Sequence, residues 1–280
     1  MTARFLPFDE RPFRLRMGLR PLDLATWIDI DDHYASDLAV KGDLLVHRHG
    51  EVVAALTDTE GAGHEVLDAV RAHLRRYHPS LVSPLLDDPS LHPIDRAGRL
   101  VQEDICLMIE RGDELVLGAA SVCFPSRWRL ADKLGRPMIA IHGPTPGYAV
   151  QLGAPTNDFL ARLTSDRPVW RLNWSLMADP ALFQPGTHRS AAVGASIPPA
   201  EIGDRIWLRV ERQTLRRFEL SVCFTIRTFV WPLGEALHGE PAARAALADN
   251  LQTMDDDFAA YKSVPGVRPA VLEWLAAYED

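Results

Sequence analysis

The chain has 280 residues, of which 47% are hydrophobic and 24% charged, so it can bury a substantial core. Its formal net charge is -8, with a pI of about 5.7, which disfavours a nucleic-acid partner because a phosphate backbone would be repelled. The first residues mix charges and prolines where a signal peptide needs an apolar core, and no run approaches the roughly 18 apolar residues of a membrane span. We therefore expect a soluble, cytoplasmic protein without nucleic-acid or membrane partners.

The three cysteines, Cys106, Cys123 and Cys223, are widely separated in the sequence. Each lies in an apolar, strand-like context, and an odd number of cysteines cannot be fully paired within one chain. This pattern favours reduced, buried thiols over a disulfide framework or a zinc site.

The N-terminal half contains an irregular segment, one helix and one hairpin. Prolines and arginines make the first twenty or so residues an irregular wrap, and residues 61–78 carry apolar side chains at helical spacing up to Pro79. Two apolar runs follow between Leu100 and Ser126, joined by Arg111-Gly112-Asp113. This arrangement predicts a β-hairpin.

The middle of the chain alternates short helices with a stiff loop and a strand. Ser126 is expected to cap a short helix that stops at Gly135, and Thr156 or Asn157 is expected to cap a second one. Between them, residues 139–148 contain two prolines and read as a rigid loop. Residues 169–177 are typical of a strand.

The remaining chain predicts a second hairpin over residues 206–233, then helices over 241–261 and 269–278. This order of elements predicts an α+β fold with one antiparallel sheet of about five strands. With no repeat or clean linker, we expect a single domain over residues 1–280. Its core would span about 100–233, between an N-terminal extension over 1–99 and C-terminal helices over 234–280.

The second hairpin is unusually charged for a pair of strands. Alternation places Arg209, Glu211 and Gln213 on one face of the first strand, and Arg227 interrupts the second strand. Two interpretations stay open: a lattice of salt bridges on a wet sheet face, or the wall of a polar cavity. In a cavity, these side chains could polarise a bound oxygen, hold an ammonium group or anchor propionates.

Two further segments carry candidate site residues. Arg171, Asn173 and Trp174 interrupt the strand over 169–177, and His142 leaves an apolar run at the start of the proline-rich loop. Such a histidine suits the axial ligand of a haem iron. The alternative is a core histidine that is hydrogen-bonded to the backbone.

Common catalytic and nucleotide-binding motifs are absent from the sequence, including GxGxxG, HExxH, CxxC and GxSxG. Two acidic clusters lack the spacing of a calcium loop and are expected to be solvated: Asp29, Asp31 and Asp32, and Asp255, Asp256 and Asp257. Surface placement is also expected for five histidines: His47, His49, His64, His73 and His78.

Successive blocks of the chain resemble one known family. The blocks are MGLRPLDLATWIDIDDHY, LVQEDICLMIE, VCFPSRWRLADKLGRPMIAIHGPTPG, RLNWSL, LRVERQTLRR, FTIRTFVWPL and YKSV. They are similar, in order, to the haem-dependent oxidative N-demethylase α-subunit family. The resemblance covers roughly residues 18–264.

This resemblance implies a haem-binding, PAS-like fold: a five-stranded antiparallel sheet with helices on one side. It implies oxidative demethylation of a small secondary amine such as dimethylamine, with O2 and haem b on this chain. Electrons from NADPH would arrive through a reductase partner, on subunits that carry FMN, a 2Fe-2S cluster and folate. The chain lacks the four-cysteine set of an iron-sulfur cluster, so it would be the haem component.

The resemblance carries over to individual residues. It implies that His142 is the proximal iron ligand. Mainly from strand alternation, we expect Arg209, Glu211 and Gln213 to line the distal or propionate side. We also expect Arg209 or Arg227 to stabilise charge on reduced oxygen. We expect three neighbours on the preceding strand to contact the cofactor: Arg171, Asn173 and Trp174. The family's usual Pro-Val-Pro is Pro-Thr-Pro here, with Thr145, which leaves the pocket shape open.

Two other functions remain possible at this point. The same fold serves non-catalytic sensors of haem or small molecules, and a degenerate member could act as a structural subunit.

Overall fold

A computed structural model of the chain describes residues 5–8, 12–81, 87–186, 197–262, 264 and 266–278. Its centre is one open, antiparallel sheet of seven strands in the order β1-β5-β6-β7-β3-β4-β2. The strands are β1 (Arg20–Pro21), β2 (Val53–Ala55), β3 (Asp104–Arg111), β4 (Glu114–Ser121), β5 (Val169–Met177), β6 (Trp207–Arg217) and β7 (Val222–Pro232).

The five long strands are those that the sequence predicts, and both hairpins are confirmed. Gly112, with a φ of 61°, turns the chain between β3 and β4, a conformation that costs glycine little because it lacks a Cβ. The predicted number of strands was too low, because short strands β1 and β2 are added at the two edges of the sheet. Two or three residues are too few to show alternation.

Eleven α-helices surround the sheet in the described part of the chain. They are α1 (Tyr34–His47), α2 (His49–Val52), α3 (Glu60–Tyr77), α4 (Pro93–Gly98), α5 (Met138–Ile141), α6 (Ala154–Arg162), α7 (Ile202–Arg205), α8 (Leu233–Leu237), α9 (Pro241–Thr253), α10 (Asp256–Tyr261) and α11 (Arg268–Ala277). Single 3₁₀ turns form at Leu24–Thr26, Pro79–Leu81, Leu130–Asp132 and Pro199–Glu201, and one π turn forms at Ala149–Gly153. The helix over 61–78 is confirmed, and so is the last helix of the tail. The predicted helix over 241–261 is instead divided into α9 and α10, because Met254 and Asp255 are extended.

Helices cover both faces of the sheet, although the resemblance implied only one. Apolar residues of α1, α3 and α4 pack on one face at the β3 end, and the C-terminal helices pack on the same face against Leu208 and Val210. The other face meets the chain between β4 and β5, where Leu130 and Leu160 pack against Cys106 and Met108. That intervening chain encloses the cavity described below.

Two predicted helix starts were wrong. The segment after Ser126 forms only the 3₁₀ turn Leu130–Asp132, with Arg129 as its N-cap, because Arg127 takes a left-handed φ of 62° that breaks a helix. Helix α6 begins at Ala154, two or more residues before the expected caps, because it continues directly from the π turn. The loop over 139–148 is helical at its start, because α5 runs to Ile141 and has His142 as its C-cap.

A buried ionic network lies on the face that α1 covers. Nη2 of Arg227 is 2.7 Å from Oδ2 of Asp31 and its Nη1 is 3.4 Å from Oδ2 of Asp37. Nε2 of Gln102 donates to both carboxylates, at 2.9 and 2.6 Å. The expectation that Asp31 is solvated was therefore wrong, since its side chain is only 4% exposed.

His73 was also expected at the surface and is instead 6% exposed. It lies on the inner face of α3, where its ring meets the edge of Trp27 at 5.9 Å between centroids. Burial is the main cause that lowers the pKa of His73 to about 4, so the ring is neutral at physiological pH.

All three cysteines are free and buried, as predicted. Burial raises the pKa of Cys123 and of Cys223 to about 12, so both remain thiols at neutral pH. None of the helices in the described ranges is long and apolar enough to cross a membrane.

The stability of this fold depends on pH through Glu103. Oε1 of Glu103 accepts a hydrogen bond from the backbone N of Asp29 at 2.7 Å, and burial is the main cause that raises its pKa from 4.5 to about 7. Between those two pH values the folded state binds more protons than the unfolded chain, so stability falls as pH rises through this window. At 1.36 kcal/mol per pKa unit the loss is on the order of 3 kcal/mol.

Glu103→Gln should therefore raise the free energy of unfolding at pH 8 and leave it nearly unchanged at pH 4, as measured by urea titration at both pH values. Glu114→Gln, at an exposed position of β4, is the control and should have little effect at either pH. Equal effects of Glu103→Gln at pH 4 and pH 8 would contradict the prediction.

Candidate functional site

A cavity of about 1980 Å³ lies between the sheet and the chain that joins β4 to β5. Its floor is the face of the sheet formed by alternate residues of β3, β5, β6 and β7. The walls come from the segment 126–160, the N-terminal segment 12–20 and the last turn of α10. Its volume exceeds the roughly 300–1,000 Å³ of a common small-molecule pocket.

The floor carries a row of polar side chains that meets at Glu211. The register pairs Asn173 with Glu211 and Arg171 with Gln213, so all four side chains leave the same face of the sheet. Oε2 of Glu211 accepts hydrogen bonds from Nδ2 of Asn173 at 3.2 Å and from Nε2 of Gln213 at 3.0 Å. The cavity interpretation of this charged hairpin is thus the one that the structure supports.

Arg209 holds the segments that follow β4 and β5 against the sheet. It is 1% exposed, and its guanidinium donates to the carbonyl oxygens of Phe124 at 2.5 Å and of Leu182 at 3.1 Å. Nε of Arg209 lies 3.7 Å from Oε1 of Glu211, close enough for an ion pair and too far for a hydrogen bond. Arg209 therefore positions these two segments and neutralises part of the charge on Glu211.

Asp104, on β3, also anchors the segment that follows β4. Its carboxylate accepts hydrogen bonds from the backbone N of Cys123 at 2.7 Å and from that of Phe124 at 2.9 Å. Burial raises the pKa of Asp104 to about 6. The loop that follows carries Arg127 into the cavity, and its left-handed backbone is the kind of strain that is often found at functional sites.

Two cavity-lining guanidinium groups each have one buried nitrogen that finds no hydrogen-bond partner in the described part of the chain. These atoms are Nη1 of Arg127 and Nε of Arg171. Burial lowers the pKa of both groups, and Glu211 acts in the opposite direction on each. Both side chains nevertheless stay protonated at physiological pH, since an arginine pKa lies far above that range.

Lys262 is a further cation at this site, which the sequence did not indicate. It follows α10 and donates through Nζ to the carbonyl oxygen of Trp174 and, at 3.3 Å, to Oδ1 of Asn173. Burial, followed by repulsion from Arg127, lowers the pKa of Lys262 to about 7. No spacing signal could have found this residue, because only the packing of the C-terminal helices brings it to the edge of β5.

His142 lies at the wall of the cavity as a neutral imidazole. Its ring stacks on Tyr148 with centroids 4.5 Å apart, and burial lowers its pKa. Nδ1 is 3.0 Å from the carbonyl oxygen of Met138, which can only accept, so the proton stays on Nδ1 and leaves Nε2 as an acceptor. Lys133, which also lines the cavity, donates to the carbonyl oxygen of Ile141.

Six of the predicted site residues line this cavity, and Arg209 lies beside Glu211 without lining it. The six are His142, Arg171, Asn173, Trp174, Glu211 and Gln213. Arg227 is not among them. It leaves the opposite face of β7 for the buried network with Asp31, so its predicted role beside a bound ligand is wrong.

Trp174 also differs from its neighbours on β5. Strand alternation directs it to the face opposite Asn173, where it packs with Val210 and meets the ring of Phe8 at 5.2 Å between centroids. It reaches only the rim of the cavity at the edge of the sheet, beside Lys262.

The fold and this site define a class: a mixed α and β protein whose antiparallel sheet forms the floor of a large, cation-rich cavity beside a neutral histidine. Residues 18–272 match the family of haem-dependent oxidative N-demethylase, alpha subunit-like proteins, and the chain belongs to that family. The family name describes haem dependence and an α-subunit, which implies further subunits.

The residues of the cavity fit a haem group. Its volume suits a macrocycle, and His142 offers one free nitrogen while its other nitrogen donates to a backbone carbonyl, as iron-ligating histidines commonly do. Arg127 and Arg171, each with one buried nitrogen that has no partner among the described residues, suit carboxylate groups. No group of three or more His, Cys, Asp or Glu side chains in the described ranges could hold a metal ion, whereas haem iron needs only an axial ligand from the protein.

Proposed function

We propose that this chain binds haem b in the cavity through His142 and takes part in the oxidative N-demethylation of a small secondary amine such as dimethylamine. The family match supports the reaction class. The observation that carries the proposal is the neutral imidazole of His142, held by a backbone carbonyl at the wall of a cavity of about 1980 Å³. Haem, when bound, supplies the redox chemistry with O2.

In this proposal the remaining side chains bind the amine and control its proton. Glu211 is the carboxylate of the polar row on the floor, and Asn173 and Gln213 orient it through their hydrogen bonds to Oε2. Its other oxygen, Oε1, accepts the N–H of the amine or takes a proton from its ammonium form. The nearby cations favour the neutral form of the amine, because a further positive charge on the amine would be costly in a buried cavity.

The overall reaction consumes the amine, O2, an electron pair and protons, and releases the shortened amine, formaldehyde and water. The electron pair would come from NADPH through a reductase partner whose subunits carry FMN, a 2Fe-2S cluster and folate. This chain would supply the haem and the amine site, and it would receive electrons from that partner.

His142→Ala should remove the ligand of the iron and so lower haem retention and change the Soret band, since the iron would lose its nitrogen donor. The measurement is an absorption spectrum of the purified protein after reconstitution with haem, with haem content determined separately. We expect loss of most bound haem or a clear shift of the band.

His64→Ala is the matched control, because His64 is an exposed histidine on α3. It should retain the spectrum and haem content of the unaltered protein. If His142→Ala also keeps both, His142 is not the iron ligand and the proposal fails.

A further inference from the structure

The cavity holds more buried positive charge than Glu211 can neutralise, and the other lining carboxylates among the described residues, Asp132 and Asp257, are exposed. Arg127, Arg171 and Lys262 line it together with Glu211, while Arg209 lies at its base. Glu211 is already engaged, since Oε2 accepts two side-chain hydrogen bonds and Oε1 faces Arg209. Neither of the hydrogen bonds that Glu211 accepts from described side chains comes from Arg127 or Arg171.

These three cations come from separate parts of the chain and still influence one another. Arg171 lies on β5, Arg127 lies in the loop after β4, and Lys262 follows α10. All three side chains line the cavity, and Nζ of Lys262 lies 3.3 Å from Oδ1 of Asn173, which leaves the same face of β5 as Arg171. Burial, together with both arginines, lowers the pKa of Lys262. Converging cations of this kind repel each other, so the fold holds them at a cost in stability.

The unpaired atoms are buried rather than solvated. Nη1 of Arg127 and Nε of Arg171 are both shielded from solvent and have no hydrogen-bond partner among the described residues. A guanidinium group donates through several coplanar N–H groups, and a carboxylate accepts two parallel hydrogen bonds from them. A carboxylate in the cavity is thus the ligand chemistry that matches these two guanidinium groups, which line it.

We propose that Arg127, Arg171 and Lys262 form a carboxylate-binding subsite of the cavity. This inference rests on the proposed function where the carboxylate belongs to haem, whose propionates are one source. The other source is a carboxylate on the amine substrate itself, as in an N-methylated amino acid. Two arms of one experiment distinguish these sources.

The first arm compares haem with haem dimethyl ester, in which both propionates are masked, by titration of the Soret band. If the subsite holds a propionate, the unaltered protein binds haem at least tenfold more tightly than the ester. Arg171→Gln and Arg127→Gln then reduce the ratio of the two affinities toward one, because each removes a guanidinium group that binds the carboxylate. Arg205→Gln, on the surface of α7, is the control and keeps the ratio.

The second arm titrates the haem-loaded protein with N-methylglycine and with dimethylamine. If the subsite holds a substrate carboxylate, N-methylglycine binds at least tenfold more tightly than dimethylamine, and Arg171→Gln removes the preference. Haem and its ester then bind alike. The inference is overturned if the unaltered protein distinguishes neither haem from its ester nor N-methylglycine from dimethylamine.

A measurement on the haem-free protein separates this inference from the proposed function. Acetate at increasing concentration should raise the Tm of the unaltered protein, and this gain should be lost in Arg171→Gln. Without acetate, Arg171→Gln should match or exceed the Tm of the unaltered protein, because it removes an unpaired buried charge. A lower Tm without acetate, together with no response of the unaltered protein to acetate, assigns Arg171 a structural role and overturns the subsite even if haem binds.

Discussion

Arg227→Met will lower the free energy of unfolding by about 3–5 kcal/mol, the range for breaking a buried ion pair from one side. The carboxylates of Asp31 and Asp37 then lose their cation, and the Asp31 side chain is only 4% exposed. The remaining hydrogen bonds, from Gln102 to both carboxylates and from the backbone N of His33 to Asp31, cannot offset two buried negative charges. Urea unfolding followed by circular dichroism measures the loss.

Arg205→Met is the matched control, since Arg205 also forms an ion pair, with Glu201, but both side chains are about half exposed. Its loss should be within roughly 0.5 kcal/mol because solvent screens such a pair. Adding Asp31→Asn to Arg227→Met should restore part of the stability. Similar losses for Arg227→Met and Arg205→Met would show that the buried network contributes no more than a surface pair.

Glu211→Gln will weaken amine binding roughly 10- to 150-fold, the equivalent of about 1.5–3 kcal/mol for a hydrogen bond to a charged group. The glutamine keeps the size of Glu211 and loses the charge that accepts the N–H of the amine. Haem retention should not change, because His142 is untouched. Spectral titration of the haem-loaded protein with dimethylamine gives the affinity, and formaldehyde release gives the turnover.

Glu201→Gln, at an exposed position, serves as the control and should leave both quantities unchanged. Unaltered amine affinity in Glu211→Gln would remove Glu211 from the substrate site. A simultaneous loss of haem would mean instead that Glu211 supports the cavity as a whole.

The two predictions concern opposite faces of one sheet, and this division explains how a charged hairpin serves two purposes. Alternation along β6 and β7 directs Glu211 and Gln213 into the cavity, and it directs Arg212 and Arg227 toward the N-terminal segment. One face is stabilised by ion pairs and backbone hydrogen bonds. The other faces the cavity, where Nε of Arg171 is buried and has no hydrogen-bond partner among the described residues.

Local patterns were sufficient for much of the fold. The apolar spacing of α3, the turn at Gly112 and the alternation in β5, β6 and β7 predicted these elements correctly, because each depends on contacts between near neighbours in the sequence. The edge strands β1 and β2 escaped prediction, since a strand of two or three residues is set by its partner strand. The start of α6 was missed because a π turn, not a capping side chain, leads into it.

The candidate site divides in the same way. His142, Arg171, Asn173, Glu211 and Gln213 could be selected from the sequence, because polar residues inside apolar strands and a histidine in a proline-rich loop are local anomalies. The role of Arg227 could not be predicted from the sequence, since its partners, Asp31 and Asp37, lie far away along the chain. Lys262 was missed for the same reason.

The sequence by itself determined that this chain forms an antiparallel sheet with helices and belongs to the haem-dependent oxidative N-demethylase, alpha subunit-like family, since alternation, turns and ordered motifs are written along the chain. Only the tertiary structure decided which charges face the cavity and which are paired beneath α1. It also brought Arg127 and Lys262 beside Arg171. The reason is that the partner of a buried charge, or its lack of one, depends on which distant segments pack around it.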